Sequence, residues 1–264
     1  MSKNNAGFNL VKDSIPKLIR QIAIPASIGF FFMTMYNVVD TFFAGWISTD
    51  ALAAMTLCFP LFIIILALGN GIGIGTSALV ANSLGAKKLS LAKSYVSQSV
   101  SFGLLATILT NVLGLLFSNR IFILLGASPE VLVLANQYAN VLFAGSIFFI
   151  FVHIFNAILI AKGDTKSFRN MLIAGFLLNL ILDPLFLFGW FGLPKMGLTG
   201  IALATILIQA LSTVYLLWKV KTYGLFSFSH FLANCKPKKS LYLDITKQAL
   251  PATFNHFSMA VGFL

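Results

Sequence analysis

The stretch NMLIAGFLLNLILDPLFLFGWF, residues 170–191, decides the fold class of this chain. Its only charged side chain is Asp183, and it is long enough to cross a bilayer core as a helix, which takes about 20 apolar residues. A charged side chain near the bilayer centre costs about 3 kcal/mol, so it usually faces a cavity, a partner or an ion path. The stretch therefore predicts a membrane span with a functional residue inside it.

The whole chain has the composition of an integral membrane protein. Of its 264 residues 58% are hydrophobic and 9% are charged, and the mean hydropathy is +0.92, which excludes a soluble globular domain. Because the last apolar run is unfinished at Leu264, we expect a fragment of a longer protein. We predict an all-α fold with six complete spans and the start of a seventh, at 21–46, 51–81, 94–118, 131–161, 170–191, 197–218 and from about 248.

The positive charges alternate between the loops. Of the 18 Lys and Arg residues, 16 lie in the amino-terminal segment and in the second, fourth and sixth loops, whereas the other loops hold only Arg120 and Lys195. The positive-inside rule then predicts that the amino terminus and the even-numbered loops are cytoplasmic. This distribution accounts for the net charge of +11, so we expect no nucleic-acid partner.

The sixth loop divides the chain. It is the longest connection and contains Gly224 and Pro237, which are typical of a linker. The sequence beyond it, ITKQALPATFNHFSMA at 245–260, is similar to IRQIAIPASIGFFFMT at 19–34, which favours a parallel repeat of six spans. We therefore predict four parts: a cytoplasmic segment 1–20, a six-helix lobe 21–218, a cytoplasmic linker 219–247 and the start of a second lobe, 248–264.

Asp40 is the second carboxylate inside a predicted span. If Trp46 and Trp190 mark the outer interface, a rise of 1.5 Å per residue puts Asp40 roughly 9 Å and Asp183 roughly 11 Å below it. Two acids at matching depth can share one site. The sequence therefore favours function over simple packing for this pair.

Polar neighbours accompany both acids. Asn179 lies one helical turn from Asp183, and Tyr36 lies one turn from Asp40, each on the same face as its acid. Thr205, in the sixth predicted span, comes out at roughly 12 Å on the same rise. These five residues make up a predicted polar cluster, although Thr205 alone fits an ordinary packing role as well.

Three further positions carry weaker signals. Pro184 has no N–H for the carbonyl of Leu180, and such exposed oxygens suit a proton or a small hard cation. Asn156 lies too near the inner end of its span to join the outer cluster, so we expect it to line an inner cavity. His153 stands alone on an apolar stretch and is interpreted as a packing residue.

The glycine-rich run GNGIGIGTS, residues 69–77, is not a phosphate loop. No Lys follows Gly75 at the required position, and no strand and turn precede the run. Gly71 and Gly75 are spaced by four residues, with Ala67 one turn earlier, which predicts the close approach of a neighbouring helix.

Several stretches together resemble the multidrug and toxic compound extrusion family, and the resemblance runs through the whole chain. They are YNVVDTFFAG at 36–45, GIGIGTSALVANSLGAKK at 71–88, AKGDTK at 161–166, NLILDPLFLFG at 179–189 and GLTGIALATILIQ at 197–209. The resemblance implies twelve helices in two lobes that form a V, of which this chain supplies the amino-terminal lobe. It also implies a bacterial plasma-membrane antiporter that exports organic, often cationic compounds in exchange for protons or sodium.

The resemblance also implies roles for single residues. Asp40, Asn179 and Asp183 match the positions that bind the coupling ion, and Thr205 matches a further position in that site. Tyr36 and Asn156 match positions in the substrate cavity of some members. We expect no cofactor, no metal other than sodium at the coupling site, and a monomer whose partners are a small-molecule substrate and the lipid bilayer.

Three other functions stay open at this point. A flippase for lipid-linked sugars has the same superfamily fold, but its cavity usually holds cations for the diphosphate, and no Lys or Arg falls within a predicted span here. A membrane-embedded enzyme needs a nucleophile or metal motif such as HExxH or GxSxG, and the sequence contains neither. A channel needs a ring of charges or a carbonyl filter.

Overall fold

The computed structural model describes residues 14–261, and within that range it contains helices and no strand. A π-helical turn, Ile19–Ala23, joins α1 to α2, and a 3-10 turn, Trp190–Gly192, follows α7. The α-helices are α1 Ile15–Leu18, α2 Ile24–Ile47, α3 Thr49–Gly85, α4 Leu89–Leu124, α5 Pro129–Ala144, α6 Ser146–Ala161, α7 Lys166–Phe188, α8 Leu198–Thr222, α9 Phe228–Asn234 and α10 Lys239–Val261.

Among the described residues, α2, α3, α4, α7 and α8 are long and apolar enough to cross a membrane, and α5 with α6 forms a sixth, bent span. This confirms the predicted all-α membrane fold. The fourth span, predicted over 131–161, is bent by 44°. The break lies at Gly145, where any Cβ would clash with the side chain of Ile206 in α8. The bend, together with the lack of a Cβ on Gly145, lets α8 approach the fourth span closely.

The helix α10 begins at Lys239, inside the predicted linker and earlier than the predicted start near residue 248. Its first turns are amphipathic, since Ile245 and Ala249 are buried while Lys247 is exposed. The prediction relied on an uninterrupted apolar run, and polar side chains on the outer face of these turns interrupt it. Another part of the predicted linker forms the short helix α9.

Glycines on two faces of α3 let two helices approach closely. A Cβ on Gly71 would clash with Thr253 of α10, and one on Gly75 would lie 3.2 Å from the backbone nitrogen of Ala249. The other face packs on α6, where a Cβ on Gly73 would lie 3.1 Å from the carbonyl oxygen of His153. The predicted close helix packing at Gly71 and Gly75 is confirmed.

Aromatic rings join the ends of α2 and α7 that the sequence assigns to the outer side. The ring of Phe188 lies 6.0 Å from that of Trp46 and 5.8 Å from that of Trp190, measured between centroids. Gly189 ends α7 in the left-handed conformation, at φ 72°, and so turns the chain toward Trp190. The two tryptophans therefore lie at one level, which the depth estimate for the two acids had assumed.

Candidate functional site

Asp40 is held by side chains from two other helices. The Nδ2 of Asn179, in α7, donates a hydrogen bond to Asp40 Oδ1 at 2.8 Å, and the Oγ1 of Thr205, in α8, donates to Oδ2 at 3.4 Å. All three residues are buried, and Asn179 is fully so. The structure thus brings together three residues that lie far apart in the chain.

Asp183 lies one turn beyond Asn179 on the same face of α7 and is fully buried. Within residues 14–261, neither of its carboxylate oxygens has a hydrogen-bond partner, and neither has Asn179 Oδ1. A buried ionised carboxylate without a partner is costly by several kcal/mol, so such a group needs a proton or a cation. Pro184 adds to the oxygen-rich surroundings, because it has no N–H to offer the carbonyl of Leu180.

The Asp40 side chain borders a cavity of about 340 Å³ among α2, α3, α5, α6, α7 and α8. Among the described residues that line it, Asp40 is the only Asp, Glu, Lys or Arg. Much of the wall is aromatic or thioether, supplied by Met33, Phe59, Phe62, Phe149, Phe168 and Met171. An apolar wall with one carboxylate is suited to a lipophilic molecule that carries a positive charge.

The remaining predicted residues differ in their positions. Tyr36 lines the cavity, and its buried hydroxyl has no hydrogen-bond partner among the described residues. Asn156 is buried and does not line this cavity, so its expected place at an inner cavity stays a prediction. His153 lines the cavity, and its ring packs on Gly69, in keeping with the packing role predicted for it.

The sequence analysis missed six polar residues of the cavity wall, which are Asn37, Thr41, Thr56, Tyr138, Gln209 and Ser212. Gln209 and Ser212 follow Thr205 by four and seven residues in α8, so all three share one helical face. That spacing was a usable signal. Tyr138 gave no comparable signal, because the other described residue of α5 that lines the cavity, Leu142, is apolar.

The donor set of the site fits a proton or a hard monovalent cation. It consists of two carboxylates, an amide oxygen and a hydroxyl, which are all oxygen ligands. No group of three His, Cys, Asp or Glu side chains able to hold a metal ion occurs in the part of the chain that the structure describes. Cys58 and Cys235 are both free thiols.

Comparison with curated proteins gives relatives along the whole chain. The Multidrug export protein MepA of Staphylococcus aureus (strain MRSA252) is 29% identical over 263 residues, which are 99% of this chain and 56% of the relative. A FAD transporter of Shewanella oneidensis is 29% identical over 197 residues, which are 75% of this chain and 44% of the relative. The chain therefore spans about half the length of the curated relatives it matches.

A solved structure shows the same fold. An outward-facing multidrug resistance MATE family transporter of the MOP superfamily superposes with a TM-score of 0.82 at 28% identity, over 93% of this chain and 53% of that one. The MatE family model matches residues 25–185, which is more than half of the chain. The chain accordingly belongs to the MatE family, the multidrug and toxic compound extrusion transporters.

Proposed function

We propose that the protein is a secondary active antiporter that exports organic, often cationic compounds across the bacterial plasma membrane in exchange for protons or sodium. Its amino terminus would be cytoplasmic, and it would act as a monomer without a cofactor. The observation that carries the proposal is Asp40, a cavity carboxylate that accepts a hydrogen bond from Asn179 and interacts electrostatically with Asp183, a buried acid with no geometric hydrogen-bond partner among the described residues. The multidrug export relatives support the same reading.

In this mechanism, substrate and ion compete for one buried negative charge. A cation about 4 Å from a carboxylate gains about 4 kcal/mol at an effective dielectric constant of 20, which is about a thousandfold in affinity. When a proton or sodium ion neutralises Asp40 and Asp183, that attraction is lost and the substrate leaves. The ion that neutralises the site comes from outside, so its entry drives the release of the substrate.

The helix α2 would convert ion binding into movement. Asp40 lies in α2, whereas Asn179 and Asp183 lie in α7. Ion binding would relieve the repulsion between the two carboxylates and allow α2 to bend or the lobe to close. The energy for the change would come from the different affinity of the ion for the two conformations.

The test uses three single variants of the full-length protein, Asp40→Asn, Asp183→Asn and Asp50→Asn as the control. Asp50 is an exposed carboxylate in the first turn of α3 and does not line the cavity. In cells loaded with a fluorescent lipophilic cation, we expect Asp40→Asn and Asp183→Asn to slow export at least about tenfold, corresponding to about 1.4 kcal/mol. Asp50→Asn should match wild type, and unchanged export by Asp40→Asn would overturn the proposal.

Substrates that carry a diphosphate are less well matched to the cavity. One relative is named a FAD transporter, and flippases of the superfamily also move diphosphates. Such anions need Arg or Lys partners, and none lines the cavity among the described residues. Competition of a lipophilic cation for export, and no competition by FAD, would separate the two substrate classes.

A further inference from the structure

The connection between α8 and α10, residues 223–238 and called the linker from here on, is bonded to the side of α4. The amide of Gln98, fully buried, reaches three backbone groups of the linker. Its Nε2 donates to the carbonyl oxygens of Asn234, at 2.5 Å, and Lys236, at 3.0 Å. Its Oε1 accepts from the backbone N–H of Lys238 at 2.9 Å. The Gln98 side chain thus holds the linker at three positions between residues 234 and 238.

Further contacts fix the two ends of this region. Ser97 Oγ lies 3.2 Å from Nδ1 of His230 in α9, and the hydroxyl of Tyr95 donates to Asp244 Oδ2 of α10 at 2.8 Å. Together with Gln98, these residues form a polar strip on α4. These hydrogen bonds therefore hold the linker against α4.

That place is level with the inner ends of the membrane spans. Ser97 lies three residues inside the predicted span 94–118, which is roughly 5 Å at 1.5 Å per residue. The Phe231 ring of α9 contacts Phe226, at 5.9 Å between centroids, and Phe226 contacts Phe155 near the end of α6, at 6.4 Å. On these predicted span bounds, α9 would lie at the border between lipid headgroups and acyl chains.

The outward face of α9 is apolar. Phe228 is 62% exposed and Leu232 is 58% exposed, and their spacing of four residues puts them on one face. His230 and Phe231 point the other way, to α4 and Phe226. A short helix fixed at this depth with an apolar outward face is typical of an interfacial helix.

Lysines precede and follow α9 in the sequence. The segment from residue 219 to residue 243 contains five Lys and no Asp or Glu, and the lysines are Lys219, Lys221, Lys236, Lys238 and Lys239. Lys219 lies with its Nζ 4.9 Å from the ring of Trp218, as expected of an interfacial anchor. Lys238 donates to Asn234 Oδ1 at 3.0 Å, and its ammonium has further donors.

We propose that the linker is a binding site for anionic phospholipid headgroups of the cytoplasmic leaflet. Phe228 and Leu232 enter the border of the acyl chains, while Lys236 and Lys238 of the linker, with Lys239 at the start of α10, bind the lipid phosphates. The α4 strip holds the backbone in place beforehand, so lipid binding does not have to order it. Clustered lysines beside a membrane surface attract anionic lipids, and a fixed cluster presents them together.

The first experiment measures stabilisation by lipid, which does not depend on transport. Full-length protein in a neutral detergent is titrated with phosphatidylglycerol or phosphatidylcholine, and the melting temperature is followed. We expect a larger rise with phosphatidylglycerol, and we expect the triple variant Lys236→Gln, Lys238→Gln, Lys239→Gln to lose at least half of the difference. The control Lys87→Gln, Lys88→Gln, Lys166→Gln removes three exposed lysines elsewhere and should keep it. An equal response of wild type to both lipids, or an unaffected linker variant, would overturn the proposal.

The second experiment identifies what covers the apolar face. Leu232→Trp and Ala233→Trp are each reconstituted in phosphatidylglycerol vesicles with bromine near the headgroup end of the acyl chains. We expect the added fluorescence of Leu232→Trp to be quenched strongly and that of Ala233→Trp, an exposed position about 100° further around α9, to be quenched less. If Leu232→Trp is not quenched, another part of the protein or water covers this face, and the proposal is wrong.

Discussion

The bond from Asn179 to Asp40 is the shorter of the two that hold this carboxylate, and it gives the sharpest test at the scale of single residues. In Asn179→Ala, Asp40 loses its best donor inside a buried site. We expect the ion affinity to fall about tenfold and the melting temperature to drop, since an unpartnered buried group costs about 1–3 kcal/mol.

The comparison variant is Thr205→Val, which removes the longer bond and should have a smaller effect on both quantities. Sodium or proton affinity is measured by isothermal titration with the full-length protein. Equal losses in the two variants, or none in Asn179→Ala, would show that the hydrogen bond does not position Asp40.

A second residue-scale prediction concerns the loop between α6 and α7. Asp164 accepts hydrogen bonds from the backbone N–H and the Oγ of Ser167 and, at 3.0 Å, from the hydroxyl of Tyr223. Burial, together with the nearby Asp164 carboxylate, raises the pKa of Tyr223 to about 12, so its hydroxyl stays protonated and donates at neutral pH. We expect Tyr223→Phe to lower stability by about 1 kcal/mol.

The stability of Tyr223→Phe is read from its melting temperature at pH 7, beside that of Tyr215→Phe. Tyr215 is half-buried in α8 and has no contact with Asp164 among the hydrogen bonds of the described residues, so its variant should change little. Equal melting temperatures for Tyr223→Phe and wild type would mean that the bond to Asp164 adds nothing.

At the scale of helices, the glycines of α3 set how closely α10 can approach. In Gly71→Ala the added methyl would clash with Thr253, whereas at Gly85, at the end of α3, nothing lies within 4 Å of a Cβ. Overpacking of this kind costs about 1–3 kcal/mol. We therefore expect Gly71→Ala to lower the melting temperature by several degrees and Gly85→Ala to leave it unchanged or raise it slightly.

The outcome that would contradict this account of α3 is a melting temperature of Gly71→Ala equal to that of Gly85→Ala. A double variant, Gly71→Ala with Thr253→Ala, adds a further check. Because Thr253 is the clashing side chain, shortening it should restore part of the lost stability.

Sequence patterns predicted those features of the helices that depend on the sequence of a single helix. Apolar runs located the spans, and the spacing of Gly71 and Gly75 predicted the close contact with a neighbour. The bend at Gly145 could not be predicted, because its cause is Ile206 on another helix. The early start of α10 was missed because its first turns are amphipathic and not uniformly apolar.

At the scale of the whole molecule, the sequence likewise predicted some residues of the site and not others. Asp40, Asn179 and Asp183 could be selected from the sequence, because carboxylates and amides inside apolar runs are rare and costly. The cavity wall could not, since aromatic and methionine residues occur throughout the spans and only the packing of six helices decides which of them face inward.

In the described part of the molecule, α3 links the candidate site in the predicted first lobe to the helix with which the predicted second lobe begins. The helix α10, with which the predicted second lobe begins, packs on α3, and α3 also contributes Cys58 and Phe62 to the cavity. A movement of α10 would therefore displace α3 and change the shape of the cavity that α3 lines. The proposed antiport mechanism needs such a link between helix packing and cavity shape.

The most direct test of the central claim is the release of ions when substrate binds. Purified full-length protein, loaded with radioactive sodium or held in a weakly buffered solution with a pH indicator, is mixed with a lipophilic cation. The account predicts that substrate displaces sodium or protons from wild type and from Asp50→Asn, and displaces neither from Asp40→Asn. Tight binding of the cation to wild type without release of either ion would contradict it.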